Sequence, residues 1–486
     1  MSRNVIWQPQ PKQAEFQSRP EYEALYGGAA GGGKSDALLT EALRQVHIPH
    51  YRAIIFRKTY PQLSELIDRS IDIYKLAFPK AKYNESKHVW RFPSGAKIYF
   101  GSMQYTKDRK NYQGKRYDFI AFDELTHFTW DEYSYMFSRN RPSKKPLSDQ
   151  KTRVYMRATT NPGGVGHGWV KDRFITVAPP LTPVIETLEV RTPTGEVVEL
   201  ERDRIFVPAT VFDNKELLEN DPNYLASLAM MPEADRDALL YGSWESFDGQ
   251  VFREWRNDSE HYDDRKWTHV INPFPVPKHW KIIRCFDWGY THPFACYWIA
   301  ISPDKIKYII REYYGTNGTP NKGIELNHIK VAEKIREIED TDPNLQGRKI
   351  FGVADPAIFE ESKGKSIAAE MAMYPNYIVW SKGDNSRLPG KMQYHYHLAF
   401  DEDGDPLLQV FNTCKHFIRT IPSLTYDESN VEDINSDLED HAYDAVRYGL
   451  MENQITPRMH HKPEIPQEDP LNMYSDGKKV IRLRRF

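Results

Sequence analysis

The chain has 486 residues, 40% hydrophobic and 27% charged, with a formal net charge of -3. That balance excludes a disordered chain, which lacks the apolar surface to offset ordering entropy, and a uniformly basic nucleic-acid coat. The length allows two or three domains of about 150 residues, and no run approaches the ~18–20 apolar residues of a membrane span.

In chain order, residues 24–27 read as a short strand ending in a glycine loop, and 36–46 as a helix. Strands are expected at 53–56, 97–100, 119–122 and 154–160, with a helix over 63–77. Strands alternating with helices predict a mostly parallel sheet flanked by helices. Residues 179–206 break this pattern. Two runs rich in Thr, Val and Glu flank Thr192-Pro-Thr-Gly195 and predict a hairpin insertion. A mostly helical stretch follows to about 240. Between 249 and 280, Asp, Pro and Lys dilute the apolar pattern, which reads as a boundary. Three strand-like runs then follow at 281–286, 294–301 and 307–314. A helix is expected over 324–339, a strand over 349–354, a helix over 366–373, a short strand over 378–380 and a long helix over 433–452. Proline-rich sequence from 456 ends in the basic stretch 478–485, expected to be a flexible tether. The N-terminus holds no apolar signal core, so no secretion signal is expected. Three cysteines, Cys285, Cys296 and Cys414, exclude a disulfide framework and fit a reducing compartment.

Gly28-Ala29-Ala30-Gly31-Gly32-Gly33-Lys34-Ser35 matches G-x-x-x-x-G-K-[ST] at every fixed position. Glycines let backbone N–H groups curl around phosphate oxygens. Lys34 is expected to reach the β- and γ-phosphates of ATP, and the Ser35 hydroxyl to hold Mg²⁺. The strand before the loop and the helix after it add a positive helix end. A second strand ends in Asp123 and Glu124. Asp123 is expected in the Mg²⁺ shell and Glu124 against the attacking water. Gln13, upstream, is a candidate reader of the adenine edge, with an exposed glutamine as the alternative. Thr159, Thr160 and Asn161 end another strand, where polar side chains can sense the γ-phosphate. An ordinary turn is the competing reading. Arg57, Arg109, Arg116 and Arg139 are candidates for an arginine finger.

Asp287 and Asp355 each end a strand of the second half. In the last helix Ala442, Ala445, Val446, Gly449 and Leu450 form an apolar stripe, and Asp437, Asp440, His441 and Asp444 lie largely off it. Asp440 and Asp444, at i and i+4, share a face. Three sequential strands, a helix, a strand with an acid at its end and an acidic C-terminal helix predict an RNase H-like fold. Its acids converge to hold two Mg²⁺ or Mn²⁺ ions for phosphodiester hydrolysis. Glu312 is a further candidate acid. His441 is a candidate to orient water or a metal-bound group.

These motifs together resemble the large terminase subunit of tailed bacteriophages over about 1–455. The resemblance rests on GGAAGGGKS at 27–35, IIFRKTYPQL at 54–63, YQGKRYDFIAFDEL at 112–125 and TTNPGG at 159–164. It rests also on Gly242-Ser-Trp244, Gly249-Gln-Val-Phe252 and DHAYDAVRYGLM at 440–451. It implies an α/β chain: a P-loop ATPase domain over 1–250 with a helical and hairpin subdomain near its end, and a linker over 251–279. An RNase H-like nuclease domain over 280–455 and the tail 456–486 complete it. The implied activity is ATP hydrolysis that drives double-stranded DNA into a procapsid through the portal, with metal-dependent cutting of concatemers. Lys34, Ser35, Asp123 and Glu124 would serve hydrolysis, and Thr159, Thr160 and Asn161 its coupling to movement. Asp287, Asp355 and Asp444 would hold the metals, with Asp440 the rival for the third place. Ala30 stands where many family members carry a basic residue. The implied partners are double-stranded DNA, the portal protein, a small terminase subunit and further copies in a ring, usually five, with no membrane. The expected location is the host cytoplasm, transiently on the procapsid and not in the mature virion. The competing readings are a non-cleaving DNA clamp or portal-docking module in the second half, and a cellular ATPase–nuclease of DNA processing.

Overall fold

The computed structural model describes residues 5–455 apart from 144–150, 222, 232, 245–246, 248, 362–363, 428–429, 431 and 437. The expected tether at 456–486 and Asp437 lie outside the described residues. Two sheets organise the chain.

The first has nine strands: β1 (Glu23–Gly28), β2 (Arg52–Arg57), β3 (Lys82–Asn84), β4 (Val89–Arg91), β5 (Lys97–Ser102), β6 (Phe119–Phe122), β7 (Tyr155–Thr160), β8 (Val184–Arg191) and β9 (Val197–Ala209). Their order is β3-β4-β5-β2-β6-β7-β1-β9-β8. The run from β5 to β9 is parallel. Its near-continuous apolar strands suit burial on both faces. Alternate residues serve opposite cores, as the two-residue strand period requires. Ala24, Tyr26, Ala53, Ile55, Phe119 and Ala121 enter one core with the helices Lys34–Ala42 and Tyr60–Ala77. Leu25, Ile54, Phe56, Ile120 and Phe122 enter the other, with Phe128, Tyr133 and Trp169. The expected hairpin is present as the antiparallel pair β8–β9 around 192–195.

The second sheet holds β10 (Val270–Ile271), β11 (Lys281–Asp287), β12 (Ala295–Ile301), β13 (Lys307–Tyr314), β14 (Ile350–Ala354), β15 (Ser381–Lys382) and β16 (Leu408–Phe411). Its order is β10-β16-β13-β12-β11-β14-β15. The antiparallel meander β11–β12–β13, with β14 added parallel beside β11 and β15 beyond it, is the RNase H-like arrangement. The helix His441–Glu452 lies against β11. Gly449 allows that approach, since a Cβ there would stand 2.2 Å from the Cys285 sulfur.

Four expectations change. Residues 251–279 do not read as a bare linker: Val251, Phe252, Trp255, Val270, Ile271 and Val276 pack into the second core, and β10 joins its sheet. The helix expected from 324 begins at His328, because the Asn327 side chain caps it by accepting from the Lys330 N–H. Residues 378–380 are not a strand; the pairing falls on β15, one step later. The last helix starts at His441, not 433, and Asp440 sits at its N-cap position. The helix Arg387–Leu398 escaped sequence reading because Pro389 and Gly390 occupy its first turns. Gly390 is needed there, since a Cβ would meet the Arg447 side chain at 2.5 Å.

Candidate active sites

The carboxyl ends of the parallel strands bring the first group together. β7 lies between β1 and β6, so the 159–161 motif falls between the phosphate loop and the acids. Gly27, Gly28, Gly31 and Gly33 all have positive φ, which only glycine adopts cheaply. Lys34 is buried, and its Nζ donates to the Ala29 carbonyl at 2.5 Å and to Asn161 Oδ1 at 2.6 Å. Burial pushes its pKa down, against the pull of Glu124 and Asp123. Ser35 Oγ stands 3.5 Å from Asp123 Oδ2. Asp123 also accepts from Thr159 Oγ1 at 2.5 Å and from Arg57 Nε at 2.6 Å. Glu124, at φ +54, accepts from the Asn161 backbone N–H at 3.0 Å and its side-chain amide at 3.2 Å. Thr160 Oγ1 donates to Thr126 Oγ1 at 3.0 Å.

Two adjacent bonded clusters therefore form, Lys34–Asn161–Glu124 and Ser35–Asp123–Thr159, side by side at the strand ends. Gln13 also reaches the loop, where its amide donates to the Gly33 carbonyl at 2.7 Å, so it is no free surface residue. Of the four candidate arginines, Arg57 alone has an Asp123 or Glu124 bond among the described residues. Arg109 lies 3.2 Å from Asp131. Arg116 is exposed, and Arg139 stacks on Tyr135. The stretch after β9 covers the loop. The Ala30 N–H donates to the Leu239 carbonyl at 2.8 Å, and the Asn214 amide to the Gly31 carbonyl at 2.7 Å. Ala30 packs beside the apolar cluster of Val211, Leu228 and Leu240, which a charged side chain there would enter. Nothing in the local sequence marks Asn214 or Leu239 as partners of the loop.

The second group sits where β11 and β14 end beside the final helix. Asp287 Oδ2 lies 3.3 Å from His441 Nδ1, and Asp440 lies 4.0 Å from the same nitrogen. Burial first, then the charges of Asp444 and Asp355, pushes the Asp287 carboxyl up to about 6 despite His441. Burial and then Asp444 pushes Asp440 up to about 7. Burial depresses the His441 imidazole, but the Asp287 bond outweighs it and the net shift is upward.

The other acids are tied to neighbours. Arg447 Nε donates to Asp444 Oδ1 at 3.0 Å, and Tyr448 Oη to Asp355 Oδ1 at 3.3 Å. Asp355 also caps the following turn through the Ala357 N–H. Among the described residues no three His, Cys, Asp or Glu side chains close into a set that could hold a metal ion. Of the expected triad, Asp444 is held by Arg447 and Asp355 by Tyr448. The donor chemistry does fit a hard divalent cation: the oxygens are carboxylate, and the mutual repulsion at Asp287 and Asp440 calls for positive charge. Glu312 does not belong here. It accepts from the His416 and Phe417 N–H groups at 3.0 Å and 3.2 Å and caps the helix Lys415–Thr420.

Residues 25–257 match the family model described as "Terminase large subunit, T4likevirus-type, N-terminal". No curated protein matches. Among solved structures, the chain is similar to the large terminase from a thermophilic bacteriophage, at 16% identity over 91% of this chain and 98% of that one, with a TM-score of 0.36. It is similar to the HK97 bacteriophage large terminase at 10% identity over 92% of this chain and 94% of that one, with a TM-score of 0.44. It is similar to the P22 large terminase nuclease domain at 20% identity over 42% of this chain and 92% of that domain, with a TM-score of 0.32. Over residues 25–257 the chain is similar to the N-terminal part of the terminase large subunits.

Proposed function

We propose that this chain is the ATP-driven motor and DNA-cutting subunit of a phage packaging machine. The observation that carries the reading is that Asn161 bonds both Lys34 of the phosphate loop and Glu124, with Ser35 beside Asp123. Lys34 leaves the Ala29 carbonyl and Asn161 to meet the β- and γ-phosphates of ATP. Glu124, held by Asn161, orients the attacking water. Arg57 stands on Asp123 and is placed to meet charge that develops on the phosphate. Thr159 and Asn161 change partners as Lys34 and Asp123 do, which transmits the nucleotide state along β7.

Ser35 and Asp123 would hold Mg²⁺ in the first site, and Asp287, Asp355 and Asp444 or Asp440 two Mg²⁺ or Mn²⁺ ions in the second, where they supply charge that activates water and stabilises the leaving oxygen. The chain's own part is to hold the acids close together, where their mutual repulsion favours a bound cation. Double-stranded DNA is the substrate, contacted through phosphates so that any sequence can pass. The portal, a small terminase subunit and further copies of this chain, in a ring of about five by family resemblance, are the proposed partners, in the host cytoplasm.

A second reading has one observation in its favour: the acids are not closed into a metal set. It makes the second half a non-cleaving clamp. Plasmid cleavage in Mg²⁺ or Mn²⁺ separates the two. Cutting by the wild-type chain, lost in Asp355→Ala with ATP hydrolysis retained, supports the nuclease. Cutting that persists in Asp355→Ala sinks this assignment, and no cutting by either protein favours the clamp. Lys34→Ala is expected to abolish ATP hydrolysis.

A further inference from the structure

The loop between β13 and the helix His328–Thr341 reaches both halves of the molecule. Asn321 lies on it with φ +55, a left-handed conformation that asparagine tolerates. Its Oδ1 accepts from His441 Nε2 at 2.9 Å. That bond places a ring proton on Nε2 and leaves Nδ1 facing Asp287 Oδ2, 3.3 Å away, to which it donates as an imidazolium carrying both protons. The Asn321 backbone N–H donates to Glu439 at 3.4 Å, and Glu439 is itself held by Arg419 and Tyr314. Two residues on, a Cβ at Gly323 would lie 2.4 Å from the His292 carbonyl, so the loop packs backbone to backbone on 290–292. Next to Asn321, Lys322 Nζ lies 3.3 Å from Asp131, a residue of the first half that Arg109 also holds. Asn321, Lys322, Glu439 and Asp131 line one cavity of about 550 Å³ between the halves.

We infer that Asn321 is a positioning residue of the nuclease, aiming His441 at Asp287, and that the ATPase half holds it in place through the Asp131–Lys322 pair. The inference rests on the nuclease reading above. It makes cutting depend on the docked arrangement of the two halves, because Asn321 is held from both sides. Residues that orient a histidine in such a site are worth about 10–100-fold in activity when lost.

The test uses the full chain and plasmid cleavage in Mn²⁺, with ATP hydrolysis measured on the same preparations. Asn321→Gly keeps the left-handed backbone and removes the acceptor. Its kcat for cutting is expected to fall by about 10-fold or more, with KM for plasmid and ATP hydrolysis unchanged. Asn321→Asp keeps acceptor and backbone and is expected to cut at close to the wild-type rate. Asp131→Asn, in the other half, is expected to slow cutting and leave ATP hydrolysis alone. Wild-type cutting by Asn321→Gly overturns the positioning role, as does a parallel loss of both activities. Unchanged cutting by Asp131→Asn overturns the hold from the ATPase half. A wild-type chain that does not cut is a different result: it removes the nuclease reading itself.

Discussion

Three histidines are buried among partners that leave no room for a second ring proton. His167 Nδ1 accepts from the Gly163 N–H at 3.0 Å while Nε2 faces the Trp244 carbonyl. His269 accepts from the Arg256 N–H and faces the Leu398 carbonyl, each at 2.9 Å. His397 Nδ1 meets the Gln393 carbonyl and Nε2 meets Lys307 Nζ. Burial pushes them down to about 3, 4 and 3 respectively. In the unfolded chain each takes a proton below about pH 6.5, while the folded chain refuses it until near pH 4 or 3. Above pH 6.5 they contribute nothing; as pH falls below it, stability is lost. At pH 5 each costs about 2 kcal/mol. Denaturant midpoints at pH 7 and pH 5 measure this, and the loss is expected to be shallower in His269→Gln. An equal loss in that variant would show that other groups drive the acid sensitivity. At the phosphate loop, Arg57→Ala is expected to slow ATP hydrolysis on the order of 10³-fold while nucleotide binding survives. Steady-state hydrolysis and nucleotide titration check it.

Among the elements, the outer part of the β8–β9 ribbon, residues 187–201, stands apart from both cores, while 205–207 and 209 of β9 are buried beside β1. Leu188 pairs with Leu200 and Val190 with Val198 on one face, and all four are exposed, the least at 36%. Glu189 pairs with Glu199 on the other face, where like charges repel. The tip therefore adds little to folding. Replacing 188–200 by a two-residue turn is expected to leave the melting temperature and ATP hydrolysis unchanged. A lower melting temperature in a thermal scan would show that the tip packs on something. The base must stay, because Glu186 bonds Arg204 and Arg173. The turn signal 192–195 made this ribbon legible, since two-residue alternation and a Pro-Thr-Gly turn are local properties. Helix starts were less so. Asp440 reads as helical from periodicity, yet it ends up as the residue before the first turn, and which acid caps a helix depends on where the chain enters it.

At the scale of the whole molecule, duplex binding through phosphates should weaken steeply with salt. Between 50 and 200 mM salt the affinity is expected to drop at least about 10-fold, with little difference between sequences. Fluorescence anisotropy with two unrelated duplexes tests both parts. A binding constant that ignores salt would point to base readout instead.

Between the halves, Lys322–Asp131 and Arg419–Asp172 form ion pairs and Gly168 packs on Ser423, while the apolar cores on the two sides are separate clusters. By itself the sequence determined the phosphate loop, the acids at the ends of β6, β11 and β14, and most strands. Glycine conformations, strand-end acids and apolar periodicity are written in adjacent residues. Tertiary structure alone decided that Arg57 stands on Asp123, that Glu312 caps a helix and that 251–279 packs into the second core. It alone brought Asn321 to His441. Those contacts join residues far apart in the chain, and only the packing of whole sheets and helices brings such residues to within bonding distance.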